Sequence, residues 1–222
     1  MNLSGWTPRP LPDRAEAGGA YARLEPIDPA RHGDDLFDAA TTGDAEARHR
    51  FLPDLVPDTR LAFGDWLAWA AASSDPLFFA VIDRATGRAV GRQSLLRITP
   101  EHGTAEIGHI HWGPGMARSR VATEALYLAA RQIFDLGYRR FEWKCNAANA
   151  PSRSAALRFG FAFEGIFRNH MVVKGESRDT AWFAMTDEDW GVLRPQYEAW
   201  LDPANFDVQG RQLRKLEARH LG

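Results

Sequence analysis

The sequence predicts an α+β protein, a three-layer mixed sheet with a central parallel strand pair flanked by helices. Three observations carry this. Strand-type and helical runs alternate in the order β, α, α, β, β, β, α, β, α, β, β. Short polar turns, several with glycine, join the outer strands as antiparallel hairpins. Only one strand–helix–strand unit is evident, residues 104–146, and its right-handed crossover makes those two strands parallel. A Rossmann arrangement is excluded, because no G-x-G-x-x-G follows a strand.

Taken in order, residues 1–19 are rich in Pro and Gly and are expected to be an extended N-terminal segment. Tyr21 to Ile27 alternates as a first strand. Asp28 and Pro29 are start signals for a helix that Gly43 ends. Residues 44–58 set Phe51, Leu52, Leu55 and Val56 among prolines and charges and read as an ordered loop. Thr59 caps a second helix with Leu61, Trp66, Leu67, Trp69 and Ala70 on its apolar side. Three strands follow at 77–83, 89–98 and 104–112. In the last of these, simple alternation places His109 and His111 together, on the face opposite Glu106.

Residues 113–137 hold the clearest amphipathic helix. Ala122, Ala125, Leu126, Ala129, Ile133 and Leu136 share one face, and Gly137 supplies the stop. Its entrance carries Arg118, Ser119 and Arg120. A helix start offers unpaired N–H groups and the positive end of the macrodipole, so this is a phosphate site or an ordinary surface helix with basic residues. A strand at 139–146 then places Phe141, Trp143 and Cys145 on one face. Asn149 to Ser152 opens a short helix, with Pro151 or Ser152 at its start. Strands at 161–173 and 179–185 form the last hairpin, and the remainder is helix and loop.

Composition narrows the function classes. The chain has 222 residues, 45% hydrophobic and 25% charged, with one cysteine. No apolar run approaches the ~20 residues of a membrane-crossing helix, and no signal peptide is recognisable. A cytoplasmic protein with Cys145 buried as a small hydrophobe is expected. Net charge is −2, against a nucleic-acid partner. The charge is uneven, however: residues 118–178 are strongly positive between acidic flanks, which suits a small polyanionic ligand. The scattered histidines and lone cysteine suggest no metal site.

Four local signatures, in order, resemble the GNAT N-acetyltransferase superfamily, and more narrowly its RimJ/RimL-like branch. They are Ala105-Glu106-Ile107-Gly108, Ala122-Thr123-Glu124-Ala125, Asn149-Ala150-Pro151-Ser152 and Phe159-Gly160-Phe161. The resemblance covers roughly residues 20–190, giving an acetyltransferase domain there and a C-terminal extension at 191–222 that packs on the domain or a partner. It implies acetyl-CoA as co-substrate and a primary amine, small molecule or peptide, as acceptor. It also implies that the central parallel strands splay and admit the pantetheine arm.

On that resemblance Ile110, His111 and Trp112 line the arm by backbone contacts, with Asn149 and Ser152 across from them. Arg118, Ser119, Arg120, Val121, Ala122 and Thr123 receive the pyrophosphate. The chain departs from the family at two places. Arg120 stands at the central glycine of the phosphate loop, and Ala156 stands where many relatives have a general-acid tyrosine. Glu106 matches the family's strand base, with a purely structural role as the alternative, and Ser154 is a hydroxyl candidate for the acid. The basic cluster Arg168-Asn169-His170 with Lys174 and Arg178 lines an acceptor pocket or is a solvated hairpin edge. An N-acetyltransferase is the leading expectation. A non-catalytic acyl-CoA sensor is the alternative, and the C-terminal aromatics Trp190, Tyr197, Trp200 and Phe206 serve a core or a homodimer surface.

Overall fold

The computed structural model describes residues 2–218. Its elements are β1 (Ala17–Gly18), β2 (Ala22–Pro26), α1 (Pro29–Thr41), α2 (Ala45–His49), α3 (Arg60–Ala72), β3 (Leu77–Asp83), β4 (Ala89–Thr99), β5 (Thr104–Trp112), α4 (Arg120–Asp135), β6 (Arg140–Asn146), α5 (Ala150–Arg158), β7 (Ala162–Val173), β8 (Glu176–Thr186) and α6 (Asp187–Leu201). The strands form one sheet in the order β1-β2-β3-β4-β5-β6-β8-β7. Among the described strands only β5 and β6 are parallel, as the single crossover unit requires.

The sheet buries both faces, with separate cores. Ala122, Ala125, Leu126, Ala129 and Ile133 of α4 pack with Trp190, Leu193 and Tyr197 of α6 against Leu95, Ile107, Phe141 and Phe183. On the other face Leu36 of α1 and Phe63 and Leu67 of α3 cover Phe78, Ala80 and Ile82. These helices stop short of β6, β7 and β8, so that half of the second face stays open. Strand β7 is the sheet edge and is exposed along most of its length.

Local signals explain most boundaries. Asp28 and Thr59 cap α1 and α3 with their side chains. Thr186 and Asp189 make a capping box for α6, which runs unbroken across residue 190. Within α4, Glu124 is buried and its carboxylate accepts the backbone N–H groups of Ala20 (2.7 Å), Tyr21 (2.5 Å) and Ala22 (2.5 Å). It thereby ties the start of β2 to the central helix.

Three expectations are corrected. The loop at 44–58 contains the short helix α2, capped by Asp44 and too short to show a periodicity. Helix α5 is capped by Asn149, whose Oδ1 accepts the N–H of Ser152 at 3.1 Å, so neither Pro151 nor Ser152 is its start. The alternation along β5 is also broken. Ser94 pairs with Gly108 and Arg92 with His111, so β5 fits three steps where β4 has two. The extra residue is a β-bulge, with His109 at φ 48°. Beyond it the parity inverts: Ile110 and Trp112 join the α4 core, whereas His111 comes round to the face of Glu106.

Candidate active site

Pairing between β5 and β6 ends at Ile107 and Trp143, though the strands continue to Trp112 and Asn146. Past that point their facing edges separate, leaving main-chain donors and acceptors without a ladder partner. The bulge at His109 bends β5 away and supplies the local cause. Ile110, His111 and Trp112 lie along this opening, and the buried indole N–H of Trp112 has no hydrogen-bond partner among the described residues. Ser152 of α5 sits beside Trp143, the last residue of β6 that pairs with β5. Its Oγ accepts the indole N–H of Trp143 at 3.1 Å. Ser154, by contrast, is exposed. The donor set suits an extended, amide-bearing arm such as pantetheine.

The helix start of α4 lies at the mouth of the opening. Ser119 is its N-cap: Oγ accepts from Ala122 N at 3.1 Å and donates to Met116 O at 2.6 Å. Thr123 is buried, donates to Ser119 O and accepts from Arg158 at 3.2 Å. Val121 and Ala122 are core residues that offer only main-chain groups. The constraint expected at Arg120 falls instead on Arg118, which is exposed and holds φ 61°, a conformation that ordinarily favours glycine. Arg120 is the first helical residue. Its guanidinium lies 4.4 Å from the ring centre of Tyr21 and 5.4 Å from that of Phe206. It therefore pins the C-terminal segment beside the helix start, and Arg118 is the arginine left open to solvent. Together with Gln209 to Gln212, these residues line a cleft of about 510 Å³. A phosphate group fits this basic entrance.

The acceptor side is the open sheet face. Glu106 is 2% exposed, ion-paired with Arg97 and, at 3.5 Å, with Lys144. Burial nevertheless pushes its carboxyl up to about 7, with Lys144 and Arg97 opposing and Glu142 assisting. Gly108 keeps the space beside it: a Cβ there would lie 2.9 Å from Leu96 Cδ2 and 3.2 Å from Glu106 Oε1. His111 is buried, 4.5 Å from the ring of His49, and its Nε2 has no partner. Burial, then the charge of Arg92, drives its pKa down to about 3, so it is neutral. His109 rests on Phe78 at 5.2 Å and is also shifted down by burial. Both histidines thus stand on the side of Glu106.

Sequence reasoning missed much of this face. Arg92 is buried, bonds Asp54 at 2.5 Å and stacks 4.1 Å over Trp66. Asp54 and His49 come from the segment read as a loop, which carries no motif. Lys144 is the exception, since its polar place in the alternation of β6 was a visible signal.

Comparison with known proteins fits the geometry. The family model described as an acetyltransferase (GNAT) domain matches residues 23–162. A GCN5-related N-acetyltransferase from Brucella melitensis shares 54% identity over 96% of this chain and 97% of its own, with a TM-score of 0.95. A probable acetyltransferase (GNAT family) from Chromobacterium violaceum shares 39% over 86% of this chain and 96% of its own, TM-score 0.80. The ribosomal L7/L12 alpha-N-protein acetyltransferase RimL, at 18% identity over 78% and 94%, TM-score 0.67, shares the fold alone. The comparison with curated proteins returned no match. No described helix is long and apolar enough to cross a membrane. The splayed parallel pair, the basic helix start and the matched residues 23–162 together establish that the chain belongs to the GNAT acetyltransferase family, whose members transfer an acyl group from acetyl-CoA.

Proposed function

We propose that this acetyltransferase acetylates a primary amine by direct attack, with Glu106 as the base. The observation that carries the reading is a buried carboxylate, ionising at about 7, beside the opening between β5 and β6. Acetyl-CoA brings the activated acyl group. Arg118 and the N–H groups heading α4 hold its phosphates, and the free edges of Ile110 to Trp112 hold its amides, with Asn149 at the far side. The amine enters from the open face of β6, β8 and β7. Glu106 takes its proton, directly or through a water, and a free N–H near Ile110 or His111 faces the developing oxyanion.

Ala156 is fully buried in the core, so no side-chain acid comes from that position. Ser152 takes the role first given to Ser154, because its hydroxyl lies beside Trp143, where the pairing of β5 and β6 ends, whereas Ser154 is exposed. That hydroxyl weighs against one of the two grounds for the sensor reading, the missing tyrosine; the other is the atypical phosphate loop with Arg120. The resemblance to the RimJ/RimL-like branch rests on the four sequence signatures, and the acceptor is a protein N-terminal amine or a small-molecule amine.

The test is release of CoA thiol from acetyl-CoA against a panel of small amines and peptides. Saturable turnover with at least one amine is expected, reduced about a hundredfold in Glu106→Gln. Tight CoA binding with no turnover on any amine would favour the sensor.

A further inference from the structure

The β7–β8 hairpin continues the sheet beyond β6 and carries its open face to the edge. Lys174 at its tip donates to the carbonyl of His49 at 2.9 Å, so the hairpin meets α2 beside His111. Its inner wall is aromatic: Trp182 lies 5.1 Å from Phe167 and 6.0 Å from His170. The nearby acids are engaged. Glu106 pairs with Arg97 and Lys144, Glu142 with Arg97 and Arg140, and Glu164 with Arg140. Asp54 pairs with Arg92, and Asp179 accepts the main-chain N–H of Asn169 at 2.7 Å.

Arg178 is left over. It is half-buried, and among the described residues its side chain makes no ion pair and no hydrogen bond. Its Nε–H is buried without an acceptor, which costs free energy unless a ligand supplies one. Its charge is felt by Glu106 on one face of the sheet and by Cys145 on the other. The register sets Arg178 just past the C-terminal end of β6, since Thr180 pairs with Asn146, the last residue of that strand, and Ala147 N donates to Asp179 O. Arg168 and Asn169, on the same hairpin, border an open cleft beside Asp179.

We propose that Arg178 is the specificity determinant for the acceptor, its guanidinium fork holding a carboxylate or phosphate carried by the amine. The inference rests on the transferase reading above and names its substrate class. The fork matches both anions through two parallel N–H bonds, and lysine does not reproduce it. An anion held there places its amine between Glu106 and the opening.

The experiment uses matched acceptors: glycine against glycinamide, and phosphoethanolamine against ethanolamine. In Arg178→Gln the anionic-to-neutral ratio of kcat/KM falls about tenfold or more relative to wild type, through the KM of the anionic member. Comparing ratios between proteins cancels the differing reactivity of the amines. Arg178→Lys loses less, and whichever pair responds identifies carboxylate or phosphate. Calorimetric binding of the same amines to the enzyme–CoA complex gives the ratio without turnover. Absence of thiol release would therefore sink the transferase reading while the binding ratio still decides on Arg178. A ratio unchanged within twofold for both pairs, in Arg178→Gln and in Arg178→Lys with native near-UV circular dichroism, would overturn the proposal.

Discussion

Trp143 donates its indole N–H to Ser152 Oγ at 3.1 Å, linking β6 to α5 across the splayed edge of the sheet. Because the indole can only donate, it fixes the serine oxygen as acceptor and leaves the hydroxyl proton for another group. In the proposed reaction that proton would pass to the leaving thiolate. Ser152→Ala is expected to lower kcat about a hundredfold with the KM for acetyl-CoA little changed. The stranded indole N–H should also cost about 1 kcal/mol of stability, seen as a lower urea midpoint. Ser154→Ala, on the exposed side of α5, is the comparison: if it loses more kcat than Ser152→Ala, the roles are reversed.

Glu106 makes a prediction in pH. Its carboxyl is raised from 4.5 to about 7, first by burial. The base form therefore grows as pH rises through 7, and kcat/KM should rise with an apparent pKa near that value. Glu106→Gln should flatten this limb. The stability consequence has the opposite sign. The folded state holds the proton more tightly than the unfolded state, so the contribution to stability is full below about 4.5 and is lost as pH rises to about 7. Thermal melts of the wild type across that window should decline relative to Glu106→Gln. A wild-type rate profile without a limb near 7 would remove Glu106 as the base.

How much of this was legible in the sequence differs by interaction range. Helix caps at Asp28 and Thr59 and the strand spans are local signals, and the structure keeps them. The position of Glu106 was legible through its signature. The environment that tunes it was not, because Arg97 arrives from β4 and Lys144 from β6. The histidine pair was misplaced for a sharper reason. A bulge inserts one residue, period-two alternation has no memory of it, and every side chain beyond it changes face. Likewise, pairing Arg120 with Tyr21 and Phe206 requires the C-terminal segment to fold back, which no pattern within 113–137 encodes.

Arg118 carries two effects that one substitution separates. Its φ of 61° is a glycine conformation held by a residue with a Cβ. Arg118→Gly should relieve that conformation, raising the unfolding free energy by up to about 1 kcal/mol after the entropy that glycine adds to the unfolded chain. The same change removes the open guanidinium at the helix start, so the Kd for acetyl-CoA should rise several-fold, more at low salt than at high. Calorimetric titration with acetyl-CoA at two ionic strengths reads this directly. An unchanged affinity at both would leave phosphate binding to the main chain of α4 alone.

Glu124 is a structural counterpart to Glu106 on the opposite side of the sheet. Its carboxylate is buried and accepts three consecutive main-chain N–H groups, from Ala20, Tyr21 and Ala22, within 2.7 Å. No side chain on β2 could replace it, because the donors converge on one point above α4. Gly19 keeps the approach clear: a Cβ there would lie 2.2 Å from Glu124 Cδ. Glu124→Ala strands three donors and is expected to destabilise the fold by about 3 kcal/mol or more, while Glu124→Gln keeps one acceptor oxygen and loses less. Chemical denaturation gives both values. The loss should appear as a lower midpoint with unchanged slope, and hydrogen exchange should quicken first at residues 20–22. Equal stability of the alanine variant and the wild type would show that the start of β2 is held by its pairing with β3 instead.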